Sequence, residues 1–218
     1  MKMGFGLVFL LVLSLGVFDV CEGKGKGYEE AVNCKRLECA PYEVVHSQKD
    51  YEIRSYTTSM WISTPPLNSS SYKDAVGRGF NILFAYIQGN NDQRAKIDMT
   101  APVLVDIFPS TGPFCNSSFI MYFYVPTKYQ NNPPLSAQAH QVKLPKHKYA
   151  AVRRFGGFMD DSNIPTQALA LRRSLKGTPW ETSISTKNRV LTYSVAGYNS
   201  PFEYENRVNE VIFWFDRP

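Results

Sequence analysis

The chain has 218 residues, 44% of them hydrophobic, with a formal net charge of +5. That is length for one large domain or two small ones, with apolar material for a full core. The basic residues are scattered, with one notable cluster at Lys143, Lys146 and Lys148, which argues against a nucleic-acid footprint.

Residues 1–23 read as a secretory signal. Lys2 supplies the positive start, Gly4 to Val17 is almost wholly apolar, and Cys21 and Gly23 are the small residues ahead of a cut after Gly23. The run is short for a membrane span and is bounded by Asp19. An uncleaved anchor is the alternative. Cleavage would remove Lys2, Asp19 and Glu22 and move the formal charge from +5 to +6. No second run of this kind follows. The expectation is an extracellular chain with no stable membrane insertion and no nucleic-acid partner.

Three cysteines, Cys34, Cys39 and Cys115, survive such a cut. An odd number allows one disulfide and leaves one thiol, and any pairing of the three stays open. The triplets starting at Asn68 and Asn116 are glycosylation acceptors in polar loops. Residues 24–40, rich in Gly and Lys, read as a flexible arm.

Structure is expected from Tyr42. Tyr42–His46 and Tyr51–Tyr56 read as short strands across a turn, and a further strand signal from Ser59 ends at Pro65-Pro66. Ser71 is a cap for a first helix, with Val76, Phe80, Leu83, Phe84 and Ile87 on one apolar face and Gly89 as the stop. From Ile97 to Ile107 every odd position is apolar, which predicts a long strand with an edge or bulge at Pro102. Phe119–Val125, apolar at nearly every position, predicts a strand covered on both faces.

Lys128–Lys148 reads as a connector, and then the pattern repeats. Lys148–Phe155 is a strand. Ile164, Ala168, Leu171 and Leu175 form a second amphipathic helix stopped by Gly177. Arg189–Tyr198 is a strand with Leu191, Tyr193 and Val195 on one face, and Val211–Phe215 is a second wholly apolar strand. Equivalent strands lie about 92 to 98 residues apart, too far for a solenoid. The fold class is therefore α+β: a domain over 41–218 built from duplicated βαββ units, with halves of about 42–127 and 148–216 and a cleft between the copies. Each helix is expected to pack on a sheet formed from both.

Five segments together carry a resemblance: YEIRSY (Tyr51–Tyr56), FAYIQGNN (Phe84–Asn91), KIDMTAPV (Lys96–Val103), FGGF (Phe155–Phe158) and NRVNEVIFWF (Asn206–Phe215). From about Tyr42 to Asp216 the chain resembles the SOUL haem-binding protein family, in particular its secreted plant-type branch. The resemblance implies a pseudo-twofold, distorted antiparallel β-barrel flanked by two helices, of the kind found in gyrase-inhibitor-type effector-binding domains. It implies non-catalytic binding of haem or another tetrapyrrole as ligand, for transport, buffering or signalling. Carried over residue by residue, the apolar cleft would be lined by Val76, Phe80 and Phe84 from the first helix. Pro201, Phe202, Tyr204 and Arg207 would come from the loop before the last strand. Lys73 and Arg78 are the nearby cations for the ligand's carboxylates. Some members carry basic residues where this chain has Gly77 and Ala85, and a lysine near the place of Glu203, so the carboxylate grip departs from the family pattern.

Of the three histidines, His46 on an early strand is the candidate axial ligand, while His140 and His147 fall in the basic connector. No direct metal site is expected. Neither a GxSxG elbow, nor HExxH, nor a phosphate loop occurs, and Asp160-Asp161 reads as a solvated turn, so an enzyme is not expected. The alternative to a tetrapyrrole carrier is a secreted protein-interaction domain with a vestigial cleft. A monomer is expected.

Overall fold

The computed structural model describes residues 27–110, 116–184 and 192–216. The expected signal sequence, Cys115 and Leu191 lie outside the described residues. In chain order the strands are β1 (Glu38–Cys39), β2 (Tyr42–Ser47), β3 (Glu52–Tyr56), β4 (Ser59–Ser63) and β5 (Leu67–Ser69). Helix α1 (Tyr72–Ile87) leads to β6 (Thr100–Ala101), β7 (Val103–Phe108), β8 (Ser117–Tyr124), β9 (His140–Leu144) and β10 (Tyr149–Phe155). Helices α2 (Asn163–Ser174) and α3 (Glu181–Ile184) precede β11 (Tyr193–Gly197) and β12 (Asn209–Phe215).

One curled sheet runs in the order β2-β3-β10-β12-β11-β7-β8-β4-β9, with β5 also paired to β8. The order reads the same from both ends about the β11–β7 pair. On one side of it lie β12 and β10; on the other lie β8 and β4. The two units are therefore β4-α1-β7-β8 and β10-α2-β11-β12. The first unit opens with Ser59–Ser63, not with the strand at 51–56 that the sequence suggested. That strand, β3, instead pairs with β10 of the second unit. In return β9, inside the expected connector, pairs with β4 of the first. Only Val142 and Leu144 are apolar in β9, so an edge strand there gives little periodic signal. The exchange ties the halves together.

Alternation divides the sheet into two faces. On β8, Phe119, Met121 and Phe123 join the helices in the main core, while Ile120, Tyr122 and Tyr124 face the other way. On β12, Val211, Phe213 and Phe215 do the former, and Ile212 and Trp214 the latter. Both strands thus carry apolar side chains on both faces. Helix α1 packs on β8 and β5 and α2 on β10 and β12, so each helix sits on strands of its own unit of the continuous sheet. Helix α2 buries Ile164, Ala168 and Leu171, with Leu175 at its end, as the spacing predicts.

Helix α1 meets expectation in part: Leu83 and Ile87 of the expected face are buried, whereas Val76, Phe80 and Phe84 are not fully so. Ser71 caps it by accepting from the Asp74 N–H. Its buried face is Tyr72, Ala75, Gly79, Leu83, Tyr86 and Ile87. Gly79 lets the helix approach the sheet, since a Cβ there would stand 3.1 Å from Leu67 Cδ1 and 3.3 Å from Met121 Cβ. Small residues at this seam rotate Val76, Phe80 and Phe84 to the flank.

The predicted long strand at 96–108 is shorter and interrupted at Pro102, whose peptide with Ala101 is cis. The stretch expected to be a flexible arm is, over its described part, built into the fold. Cys34 and Cys39 are joined by a disulfide, Ala31 and Asn33 are buried, and β1 pairs with β6. No helix among the described residues is long and apolar enough to cross a membrane.

Candidate functional site

Among the described residues, α1 and α2 pack on the outer face of the curl and leave its inner face to the strands and the disulfide-bonded arm. Its strands project Tyr56, Trp61, Leu104, Tyr122, Ile212 and Trp214 toward one another around a cavity of about 390 Å³. That lies within the range of about 300–1,000 Å³ typical of small-molecule sites. Aromatic side chains of the lining meet neighbouring rings edge-on. Tyr56 meets Trp214 edge-on at 5.2 Å between ring centroids, and Trp61 meets Tyr124 at 5.4 Å.

Two acids enter the lining. Asp106 accepts from the Ser194 and Tyr122 hydroxyls, and Ser194 in turn accepts from Trp214 Nε1 at 2.8 Å. Burial raises the Asp106 pKa, although these bonds and the nearby Lys146 and His147 oppose it. Glu210 is fully buried and held by a bidentate Arg54 at 2.8 and 2.9 Å, by Arg154 at 2.8 Å and by the Tyr198 hydroxyl at 3.0 Å. Burial works against its charge, but the two guanidiniums win and hold its pKa below the usual carboxylate range. Arg54 also bonds Glu52 at 2.7 Å and lies 3.9 Å above the Tyr42 ring. Two of the segments that carried the family resemblance thus meet here: Arg54 of YEIRSY, itself bonded to Glu52, grips Glu210 of NRVNEVIFWF.

Lys146 and His147, in the short bend between β9 and β10, also line the cavity. His147 Nδ1 lies 3.1 Å from Asp216 Oδ2.

The residues singled out by sequence sit elsewhere and in separate groups. Phe80 and Phe84 stack at 5.5 Å on the flank of α1, where Phe80 also meets Phe123; Phe84 is 43% exposed. Val76 is half-buried beside them, and Lys73 is exposed one turn earlier. A Cβ on Gly77 would meet nothing, so the flank is open. Arg78 does not face this stripe: it pairs with Asp74 at 3.0 Å and donates to the Asn68 carbonyl at 2.9 Å.

Pro201, Phe202 and Tyr204 are exposed, with Tyr204 against Phe158 at 5.8 Å and Arg207 4.1 Å above the Phe158 ring. Among the described residues, no ring contact or hydrogen bond joins this loop to Phe80 or Phe84. The 158–161 turn lies between the two groups: Asp161 accepts from the Tyr72 backbone N–H at 2.6 Å. The turn acids therefore do more than face solvent: Asp161 ties the second unit to the start of α1, and Asp160 accepts from Ser162 and Asn163 at the start of α2.

Glu203 does not stand in for a ligand-binding lysine. It accepts from Asn33 and Arg36 of the disulfide-bonded arm, which lower its pKa to about 2. His46 lies 6.0 Å from both the Tyr51 and Trp180 rings and outside the cavity. Asn68 and Asn116 are exposed on or beside the paired strands β5 and β8. The sequence points to no cavity residue, because strands apolar at nearly every position read as covered on both faces and give no sign of a hollow on one of them.

The fold is a duplicated half-barrel with helices on its outer face and a hollow on its inner face. The C-terminal domain of EcmrR has the same fold: its crystal structure superimposes with a TM-score of 0.56 at 10% identity, covering 81% of this chain and 99% of that one. The SOUL heme-binding protein family matches residues 37–214. Heme-binding protein 2 of Homo sapiens is 34% identical over 175 residues, covering 79% of this chain and 81% of that protein. Heme-binding protein 1 of Sus scrofa is 26% identical over 151 residues, covering 68% and 76%. The chain belongs to the SOUL heme-binding protein family.

Proposed function

We propose that the protein binds haem or a related tetrapyrrole, without catalysis, in the aromatic hollow on the inner face of the sheet. The observation that carries this reading is the hollow itself. Tyr56, Trp61, Tyr122 and Trp214 offer flat faces, and Lys146 is a cation at the lining for a propionate. The side chains present fit the group: the walls are apolar, Glu210 is neutralised by Arg54 and Arg154, and Asp106 is hydrogen-bonded. Bound tetrapyrrole would supply light absorption and, with iron, redox and ligand chemistry. The chain's part is to enclose the ring and exclude water.

The flank of α1 supports a second reading. Lys73, Val76, Phe80 and Phe84 form one stripe, and an exposed stacked pair of phenylalanines beside the open space at Gly77 suits a planar ring. A titration with hemin, and separately with iron-free protoporphyrin IX, separates the two. Trp61→Ala with Trp214→Ala weakens both ligands about tenfold or more if the hollow is the site. Phe80→Ala with Phe84→Ala does so if the flank is. Absence of saturation with either ligand in the unaltered protein leaves the protein-interaction reading.

A monomeric extracellular protein, carrying glycans at Asn68 and Asn116, completes the proposal. The Cys34–Cys39 disulfide supports an oxidising compartment, and both asparagines are accessible. Secretion from eukaryotic cells with a mass loss on glycosidase treatment tests it. Retention in the cytosol, without that loss, contradicts it.

A further inference from the structure

We infer that the Cys34–Cys39 disulfide is the buckle of a redox-sensitive strap. Closed, it pins the 199–207 loop beside the hollow; a dithiol that reduces it sets that loop free. The arm is fixed at its start, where Glu52 accepts from the Tyr28 backbone N–H and Arg154 donates to the Glu29 carbonyl. It is fixed again at its end. There β1 pairs with β6, the Ala40 N–H donates to the Ala101 carbonyl at 3.1 Å, and Glu38 accepts from the Thr127 N–H at 2.8 Å. Between these anchors the disulfide joins two residues five apart in sequence.

The latch stands at that short ring. Asn33, next to Cys34, donates to the Tyr198 carbonyl at 2.6 Å and to Glu203 at 2.9 Å. Arg36, inside the ring, donates to Glu203 at 2.7 Å and to Asn33 Oδ1 at 2.6 Å. Glu203 also accepts from the Asn199 side chain and the Ser200 backbone N–H, so one carboxylate both holds the arm and folds the loop. Tyr198 and Ala40 line the hollow, and the loop displays the exposed rings of Phe202 and Tyr204. The strap thus ties a loop of the second unit to β6 of the first.

Two observations mark it as a switch and not a staple of the whole fold. Both cysteines are only part-buried, so a thiolate can reach them. Closing so short a loop removes little chain entropy from the unfolded state, so the sheet and helices do not depend on the bond.

The opening step is thiol–disulfide exchange. One thiolate of the dithiol attacks a cystine sulfur, the Cys34–Cys39 bond breaks and a mixed disulfide forms. The reductant's second thiolate then attacks its own sulfur in that bond and closes the reductant's disulfide. Two electrons pass to the pair, and Cys34 and Cys39 each end as a thiol with one of the two protons that the dithiol gave up. The redox state of the surroundings then decides whether Phe202 and Tyr204 stand on a fixed loop or a free one.

The test uses the full chain with dithiothreitol as the dithiol, read by hydrogen exchange with mass spectrometry and by thiol titration. Reduction should speed amide exchange over 198–208 about tenfold or more, while β8 and α2 keep their protection. Cys34→Ser with Cys39→Ser should do the same without reductant, and dithiothreitol should add nothing to that variant. Asn33→Ala, with the disulfide intact, should free the same loop, and reduction should then add little because both act on one latch. Two new thiols with unchanged exchange over 198–208 would overturn the inference. Loss of protection in β8 and α2 together with the loop would overturn it too, since the bond would then staple the whole fold.

Discussion

On the outer face of the sheet, Phe119, Met121, Val211 and Phe213 are covered by α1 and α2 and nearly inaccessible. On the inner face their immediate neighbours Tyr122, Ile212 and Trp214 face away from α1 and α2 and surround a hollow that Ile184 of α3 also lines. The same strands thus supply a closed core and an open site, and the difference lies in what stands opposite. The outer face is satisfied by close packing. The inner face carries Glu52, Arg54, Asp106 and Glu210, which are satisfied by one another and by hydroxyls. Packing stabilises one side; on the other, a polar clamp ties β3 to β10 and β12 of the second unit.

The largest test of that contrast is Glu210→Gln. It removes the charge that pairs with buried Arg54, and loss of about 3–5 kcal/mol of unfolding free energy is expected by urea titration. A change under about 1 kcal/mol would show that the clamp does not hold the inner face. On the outer face, Leu171→Ala truncates a fully buried side chain of α2. It should cost about 2–5 kcal/mol without altering protoporphyrin IX binding.

A smaller effect comes from pH. Glu203 has a folded pKa of about 2, held down by Asn33 and Arg36, against an ordinary value of 4.5. Its contribution is present above 4.5 and is lost as pH falls toward about 2. The slope of stability against pH in that window should flatten in Glu203→Gln, and an unchanged slope would mean that the arm does not grip the 199–207 loop. The smallest change is expected at the α1 flank, where Phe84→Ser should shift stability within about 0.5 kcal/mol because the ring is already part exposed.

Much of the outer face was legible in the sequence. Ile164, Ala168, Leu171 and Leu175 repeat at helical spacing, and all are buried. The paired halves also showed, because wholly apolar strands at 119–125 and 211–215 follow amphipathic helices. Two features did not show. Gly79 and Ala75 form the docking seam of α1 beside Leu83 and Ile87, and a count of large apolar residues finds the latter pair but adds Val76, Phe80 and Phe84 to the face. Strand β9 alternates too weakly to be seen, so Lys146 and His147 read as linker when their place is set by pairing with β4. The recognised segments YEIRSY and NRVNEVIFWF were conspicuous, yet Glu52, Arg54 and Glu210 in them build the clamp, while Tyr56 and Trp214 reach the hollow.

The three tryptophans report on the two faces separately. Trp61 and Trp214 line the hollow, while Trp180 packs with His46 and Phe215 on the helix side. Following the three indole N–H signals by nuclear magnetic resonance during a protoporphyrin IX titration tests the location of the site directly. The hollow predicts saturable shifts at Trp61 and Trp214 with Trp180 unmoved. Saturable binding that leaves both of those signals in place, while ring signals of Phe80 and Phe84 move, would contradict it.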